Sequence, residues 1–386
     1  MKTIFLIMKY YSKLDSHTPF PKFDYQIEAL VSMEIEVSYL MIENHKIYIC
    51  NNDSREFILE FKPINIPVIS VLTVYHNIYK AAIEVFKKGY SFDLVYIRYM
   101  PITHLFKKAL KKMKDAKCRI VVEIPTHPIQ KEINEEKRIS RRVFFKMSKL
   151  YFDTLGKYID LFALIGEESS QYLNKPAINI ENGISLSMIP KRTPKFTTDE
   201  IHILCLANMA KWHGYDRLIE GLKIYYDNRN DLRVILYIVG SDGDGSGNKW
   251  REMAKTYKLE EYIHFEGPKY GKELNWYFDN CQLAVGSIGL HRIGYKSAAT
   301  LKVREYMARG VPFILSATDQ SINKDDIFYL EVPEDDTPIN IEVLISEILA
   351  IKDWNQISNK MRDYVAENMT WNRQFLKIFS YFLRKD

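Results

Sequence analysis

The stretch IHILCLANMAKWHGYDRLIEGLKIYYDNRNDLRVILYIVG, residues 201–240, decides how this chain is built. It opens on a continuous apolar run, Ile201 to Leu206, and closes on a second, Arg233 to Val239, with a helical pattern over 214–227 between them. Short uninterrupted apolar strands separated by helices imply a parallel sheet covered on both faces, because each strand must then be apolar on both sides. Toward the C-terminus the runs continue at 262–265, 282–286, 312–315 and 327–330, with helices predicted over 248–258, 271–279 and 300–309. Toward the N-terminus they recur at 3–8, 36–40, 46–50, 56–61, 93–97, 119–124, 161–165 and 177–180. Asn51-Asn52-Asp53-Ser54-Arg55 predicts a hairpin between two of these.

A chain of 386 residues exceeds one ordinary core and implies two domains. Glycine marks the boundary: of 16, only Gly89, Gly156, Gly166 and Gly183 lie in the first 183 residues. The expected architecture is α/β, with Rossmann-like domains over 1–183 and 184–370. Pro190 to Thr198 reads as a linker. From Trp371 a last helix places Phe375, Ile378, Phe379 and Phe382 on one side.

Hydrophobic residues at 47% and charged ones at 27% exclude disorder, collagen and coiled coil. No apolar run approaches the ~18 residues that span a bilayer. Thr3 to Met8 is too short for a signal-peptide core and reads as a first strand. Cys50, Cys118, Cys205 and Cys281 are too dispersed for a disulfide framework or a zinc site, so a reducing, cytoplasmic setting is expected.

The net charge of +5 is unevenly spread. Residues 107–117 hold six lysines and one acid, and 137–149 hold six basic residues and no acid. Ile139, Val143 and Met147 recur at i, i+4 and i+8 within the second segment. An amphipathic helix over 137–152 would lie on an anionic membrane surface, at the inner face of the cell membrane, or pack its stripe on the core. No helix-turn-helix, RNP-like or zinc-finger pattern accompanies the charge, so no nucleic-acid partner is expected.

Ligands of such sheets bind beyond the carboxyl ends of the strands, which directs attention to the strand-to-helix loops. The first glycine is Gly89, which excludes a G-x-G-x-x-G loop after the first strand. Motifs of phosphate-loop ATPases, zincins and α/β-hydrolases are also absent. In 207–214, Lys211 and His213 stand at a helix start that would hold a phosphate or simply begin the helix. In 240–247, Asp242 and Asp244 would repel a pyrophosphate, leaving a flexible turn with Gly240 near a ligand. The loop 286–300 is long and carries His291, Arg292 and Lys296. The helix Leu301–Arg309 puts Lys302, Glu305 and Arg309 on one edge. Glu305 and Arg309 would otherwise form an exposed pair worth ~0.3–0.5 kcal/mol.

Across about 178–316 the chain resembles the GT-B retaining glycosyltransferases of bacterial surface-polysaccharide synthesis (glycosyl transferases group 1, family 4-like). The resemblance rests on Ile180-Glu181-Asn182-Gly183-Ile184, ANMAKWHGYDRL from Ala207, Ile238-Val239-Gly240-Ser241-Asp242-Gly243, His264-Phe265-Glu266-Gly267, and TLKVREYMARGVP from Thr300. Tyr96 to Tyr99 and Glu123 to His127 would correspond to loops facing a cleft between the domains. The resemblance implies that the second domain binds a nucleotide-sugar, UDP- or GDP-linked, with UDP favoured. The last helix would cross back to the first domain, and neither a metal nor another cofactor would be needed. The acceptor would be a glycan or a polyprenyl-pyrophosphate-linked sugar.

In that reading Glu305 holds the ribose hydroxyls, and Thr300 and Leu301 turn amides toward the diphosphate. Family members carry a Glu eight residues before Glu305, where this chain has Ser297, and an Arg and a Lys where it has Asn208 and His213. Lys211, Arg292 and Lys302 are the candidate replacement cations. His17 stands in place of a glycine pair after the first strand, and His127 is a further catalytic candidate. A GT-B-like partner subunit without turnover and a nucleotide-sugar epimerase are the alternatives.

Overall fold

Apolar runs bounded by turns become strands in a computed structural model that describes residues 2–12, 21–64, 66–135, 139–197, 199–228, 232–294, 300–319, 321–323 and 328–384. The chain divides into two compact units, Met1–Gly183 with Trp371–Asp386, and Ile184–Thr370.

The first unit begins β1 (Thr3–Ile7), α1 (Pro21–Ser32), β2 (Glu36–Glu43), β3 (Lys46–Cys50) and β4 (Arg55–Glu60). It continues α2 (Pro67–Lys87), β5 (Leu94–Arg98), α3 (His104–Asp115), β6 (Arg119–His127), α4 (Gln130–Glu135) and α5 (Ile139–Asp153). Then follow β7 (Leu161–Gly166), β8 (Gln171–Tyr172) and β9 (Lys175–Asn179). The sheet order is β4-β3-β2-β1-β5-β6-β7-β9-β8. Its centre is parallel, as continuous burial of β1, β5 and β6 requires. The β2-β3-β4 meander makes one edge antiparallel, because Asn44-His45 adopts positive φ in a tight turn and 51–54 closes the predicted hairpin. Phe5, Ile7, Val95, Ile97 and Val122 on one face pack under Ala82, Val85, Phe106 and Leu110 of α2 and α3.

The second unit runs β10 (Glu200–Leu206), α6 (Tyr215–Asp227), β11 (Arg233–Val239), α7 (Ser246–Thr256), β12 (Ile263–Gly267) and α8 (Gly271–Asn280). It continues β13 (Leu283–Val285), α9 (Leu301–Arg309), β14 (Phe313–Leu315), β15 (Tyr329–Glu331), α10 (Ile341–Leu349) and α11 (Trp354–Asn368). Its sheet is wholly parallel, in the order β12-β11-β10-β13-β14-β15. The strand order reverses between β10 and β13, and there a doubly wound sheet opens a crevice for ligands.

The last helix, α12 (Trp371–Leu383), joins the first unit and packs on α1. Trp371 is fully buried, and Asn372 donates to Ala29 O and Ser32 Oγ at 3.2 and 2.8 Å. Among the described residues no helix is long and apolar enough to cross a membrane.

Two expectations are corrected here. Tyr96 to Arg98 belong to β5 and Glu123 to β6, with Tyr96 and Glu123 fully buried rather than in open loops. The apolar stripe of α5 does not pack on the core: Ile139, Val143, Met147 and Leu150 are 75, 50, 65 and 68% exposed. Its inward residues are Ser148 and Phe152 instead.

Candidate functional site

The reversal point brings together two loops, 207–214 after β10 and 286–294 after β13. They are laced by backbone bonds, Ile288 N to His213 O at 3.1 Å and Gly289 N to Trp212 O at 3.2 Å. A Cβ on Gly214, which has φ +70°, would stand 2.8 Å from Gly289 N, so only glycine permits this approach. Buried Arg217 adds a bond from Nη1 to Ile288 O and one from Nε to Thr337 O at 2.8 Å.

Arg292 ends up as a fastener of these loops. Its guanidinium grips Asp216 with two bonds of 2.8 and 2.7 Å, Asp336 Oδ1 at 2.6 Å and Lys211 O at 3.0 Å. With two carboxylates against it, it has little charge left for a diphosphate, contrary to the expectation from sequence. Lys211 is exposed beside it, its own amide donating to Asp244 Oδ2 at 3.2 Å.

The loop 240–247 also differs from expectation. It is a built turn, in which Asp242 accepts from the amides of Gly245 and Asn248, and Asp244 from Ser246. Gly240 serves packing, since a Cβ there would lie 1.6 Å from Ala207 O. Asn208 is held by Ser241, whose Oγ donates to Asn208 Oδ1 at 2.9 Å.

The chemistry gathers at the start of α9. Thr300 is its N-cap, yet its side chain makes no capping bond and Oγ1 is buried without a partner among the described residues. The first intrahelical bond runs from Arg304 N to Thr300 O, so the amides of Leu301, Lys302 and Val303 lie ahead of it. Lys302 turns inward, donating to His213 Nδ1 at 3.0 Å and Tyr215 OH at 3.3 Å. Burial pulls its ammonium down to about 7, with only Cys205 opposing. His213 is pulled down to about 2 by burial and then by Lys302, so the ring is neutral. Nδ1 is then the acceptor, shared between Lys302 and Ser287 Oγ at 3.1 Å, and Nε2 carries the proton toward the Asn208 backbone.

An ammonium at the positive end of a helix, beside a neutral ring, is electrostatically unfavourable as it stands. Among the described residues no carboxylate touches it. Among the described residues Lys302, the first three amides of α9 and Thr300 Oγ1 have no acceptor that would keep them from holding an anion. One turn on, Glu305 is half-buried and its Oε1 accepts from Arg309 Nε at 2.9 Å. That pair is sheltered rather than exposed, because Arg309 also donates to Asn275 Oδ1 and covers the Phe278 ring at 4.1 Å.

The structure thus assembles Asn208, His213, Thr300, Leu301, Lys302 and Glu305 in one neighbourhood. His127 lies in the first unit at the end of β6, its Nδ1 buried without a partner among the described residues and its ring against Tyr172. Burial lowers its pKa, with Glu167 opposing. His17 and Ser297 fall outside the described residues. Sequence reasoning missed Ser287 and Tyr215, which hold His213 and Lys302, and Arg304. Arg304 is fully buried and bonds Asp319 at 2.7 and 3.1 Å, bracing α9. A charged residue on a short helix reads as surface, and only its distant partner shows otherwise. Among the described residues no group of three His, Cys, Asp or Glu side chains could hold a metal ion.

Residues 200–349, which contain this site, match the family model of glycosyl transferases group 1. The chain has the GT-B fold. Sucrose-phosphate synthase from Thermosynechococcus elongatus superposes with a TM-score of 0.65 at 17% identity, over 100% of this chain and 99% of that one. The catalytic domain of starch synthase IV from Arabidopsis thaliana gives 0.61 at 10%, over 99% of both. Anabaena HepE in complex with UDP-glucose gives 0.56 at 14%, over 99% of this chain and 100% of that one. No curated protein sequence matches the chain.

Proposed function

We propose that the protein is a retaining glycosyltransferase that moves a sugar from a UDP-linked or GDP-linked donor to a hydroxyl of a glycan or lipid-linked acceptor in cell-surface polysaccharide synthesis. The observation that carries this reading is the Lys302 ammonium at the start of α9, which no carboxylate among the described residues touches. Breaking the bond from the sugar's anomeric carbon to the diphosphate oxygen puts negative charge on that oxygen. Fixed positive groups that need no reorganisation stabilise it most. Lys302, the first amides of α9 and the Thr300 hydroxyl meet that need, so the reaction proceeds without a metal. Neutral His213 holds Lys302 in place without competing for its charge. The leaving oxygen takes the acceptor proton as the acceptor oxygen bonds the anomeric carbon on the same face, so no protein nucleophile is required. Glu305 Oε2 takes the ribose hydroxyls, with Arg309 fixing the carboxylate. The UDP-glucose bound by Anabaena HepE favours uridine among the bases. The exposed stripe and basic flanks of α5 favour work at an anionic membrane surface, where a polyprenyl-pyrophosphate-linked acceptor would be found.

The test is calorimetric titration of UDP, GDP and ADP into the wild type, Glu305→Ala and Lys302→Met. One nucleotide should bind with a dissociation constant of about 1–500 μM and lose roughly tenfold, ~1.4 kcal/mol, in each variant. Absence of binding by all three would overturn the reading in favour of a partner subunit without turnover.

A further inference from the structure

Helices α2 and α3 enclose a groove of about 570 Å³ on the first unit, far in sequence from the α9 site. At one end it is lined by His76 and Lys80 of α2 and by His104 and Lys108 of α3. Each helix therefore contributes an imidazole and, one turn on, an ammonium. The two rings face each other with centroids 5.4 Å apart. Helix α2 joins β4 to β5 and α3 joins β5 to β6, in each case between parallel strands, so the helices run the same way. Lys80 and Lys108 accordingly lie one turn beyond the facing rings, on the same side.

No counter-charge offsets this end among the described residues. The nearest carboxylate in the lining, Glu84, turns away to Lys87 at 2.8 Å, and Asp115 lies at the far end among Lys111 and Lys112. Ile83 and Leu105 give the groove an apolar side that sheds water. His104 is also the first residue of α3, where the helix dipole adds positive potential. Like charges held together cost free energy unless an anion comes between them. Two imidazoles and two ammonium groups lining one groove suit an acceptor with several oxygens and two negative charges.

We infer that this groove binds a phosphate-bearing ligand through His76, Lys80, His104 and Lys108. The ligand is either a soluble phosphate ester or diphosphate, or the phosphate of a lipid headgroup. The inference stands apart from the donor site, since no residue is shared with it.

The test follows the imidazole carbon-bound proton signals of His76 and His104 by NMR in the full-length chain, assigned through His76→Asn and His104→Asn. Lys302→Met serves as background, so that the α9 site is silent. Pyrophosphate should shift both signals and saturate below about 1 mM, and Lys80→Met with Lys108→Met should weaken it at least tenfold. That double variant should keep the wild-type nucleotide affinity when Lys302 is present, which separates failure here from failure of the donor site. Flotation with phosphatidic acid vesicles, lost in the same double variant, would assign the ligand to a headgroup; binding confined to soluble pyrophosphate would assign it to a small molecule. Unshifted signals at about 10 mM pyrophosphate, or shifts untouched by the double variant, would overturn the inference.

Discussion

Lys302 is a buried lysine whose hold on its proton is weakened by burial. Its pKa of about 7 against the usual 10.5 means that an anion binding the charged form takes up a proton above pH 7. Nucleoside-diphosphate affinity should therefore fall as pH rises from about 7 to 8.5, by up to roughly tenfold per unit. Calorimetry over that range checks this, and Lys302→Met should flatten the profile. Unliganded stability should move the other way. Between pH 7 and 10.5 the unfolded chain holds a proton that the folded lysine has released, so stability from this group rises with pH across that window.

Among the elements, the strand ends show how little room the site's scaffold leaves. Gly240 has φ +140° and carries its missing Cβ toward Ala207 O, so Gly240→Ala should cost about 3 kcal/mol or more in urea unfolding. An unchanged midpoint would mean that the crossing of the two loops can relax. Helix α5 makes the opposite case, because Val143, Met147 and Leu150 face solvent while only its Phe152 side enters the core. Replacing Val143, Met147 and Leu150 by Ser should leave the thermal midpoint within about 2 °C. It should abolish flotation with phosphatidylglycerol vesicles, while Lys146→Glu weakens it. Retained flotation in the triple variant would remove the membrane from the proposed function.

In the molecule as a whole, the chain passes from one unit to the other near Gly183 and returns near Thr370, and both crossings are anchored in the first unit by one buried cluster. Lys22 Nζ donates to Glu123 Oε1 at 2.8 Å and Asn182 Oδ1 at 2.9 Å, and lies 5.1 Å from the Trp371 ring. Tyr96, Gln26 and Arg98 complete the shell of Glu123 at 2.6, 2.9 and 2.9 Å. Burial raises the Glu123 pKa, but Lys22 and Arg98 overcome it and hold the carboxyl at about 2. Its stabilisation is present above the ordinary value of 4.5 and is lost as pH falls through 2. Glu123→Gln should lower stability by about 3–5 kcal/mol at neutral pH, because it leaves Lys22 and Arg98 without their anion. The variant should also lose the acid-dependent part of the decline, which pH-resolved thermal melts would show.

The amino-acid sequence by itself determined the α/β class and the alternation of strands and helices, because burial on both strand faces leaves a pattern that can be read one residue at a time. It also marked α9, whose glycine stop and following proline are local signals. Tertiary structure alone decided which charges were spent. Arg292 and Lys302 look alike along the chain, yet Asp216 and Asp336 neutralise the first while His213 and Tyr215 surround the second. Those partners lie 44 to 89 positions away. The same holds for Glu123, a polar residue in an apolar run whose burial depends on Lys22, 101 positions earlier. Local periodicity reports which side of an element faces inward, but the electrostatic state of a buried group belongs to whatever the fold brings against it.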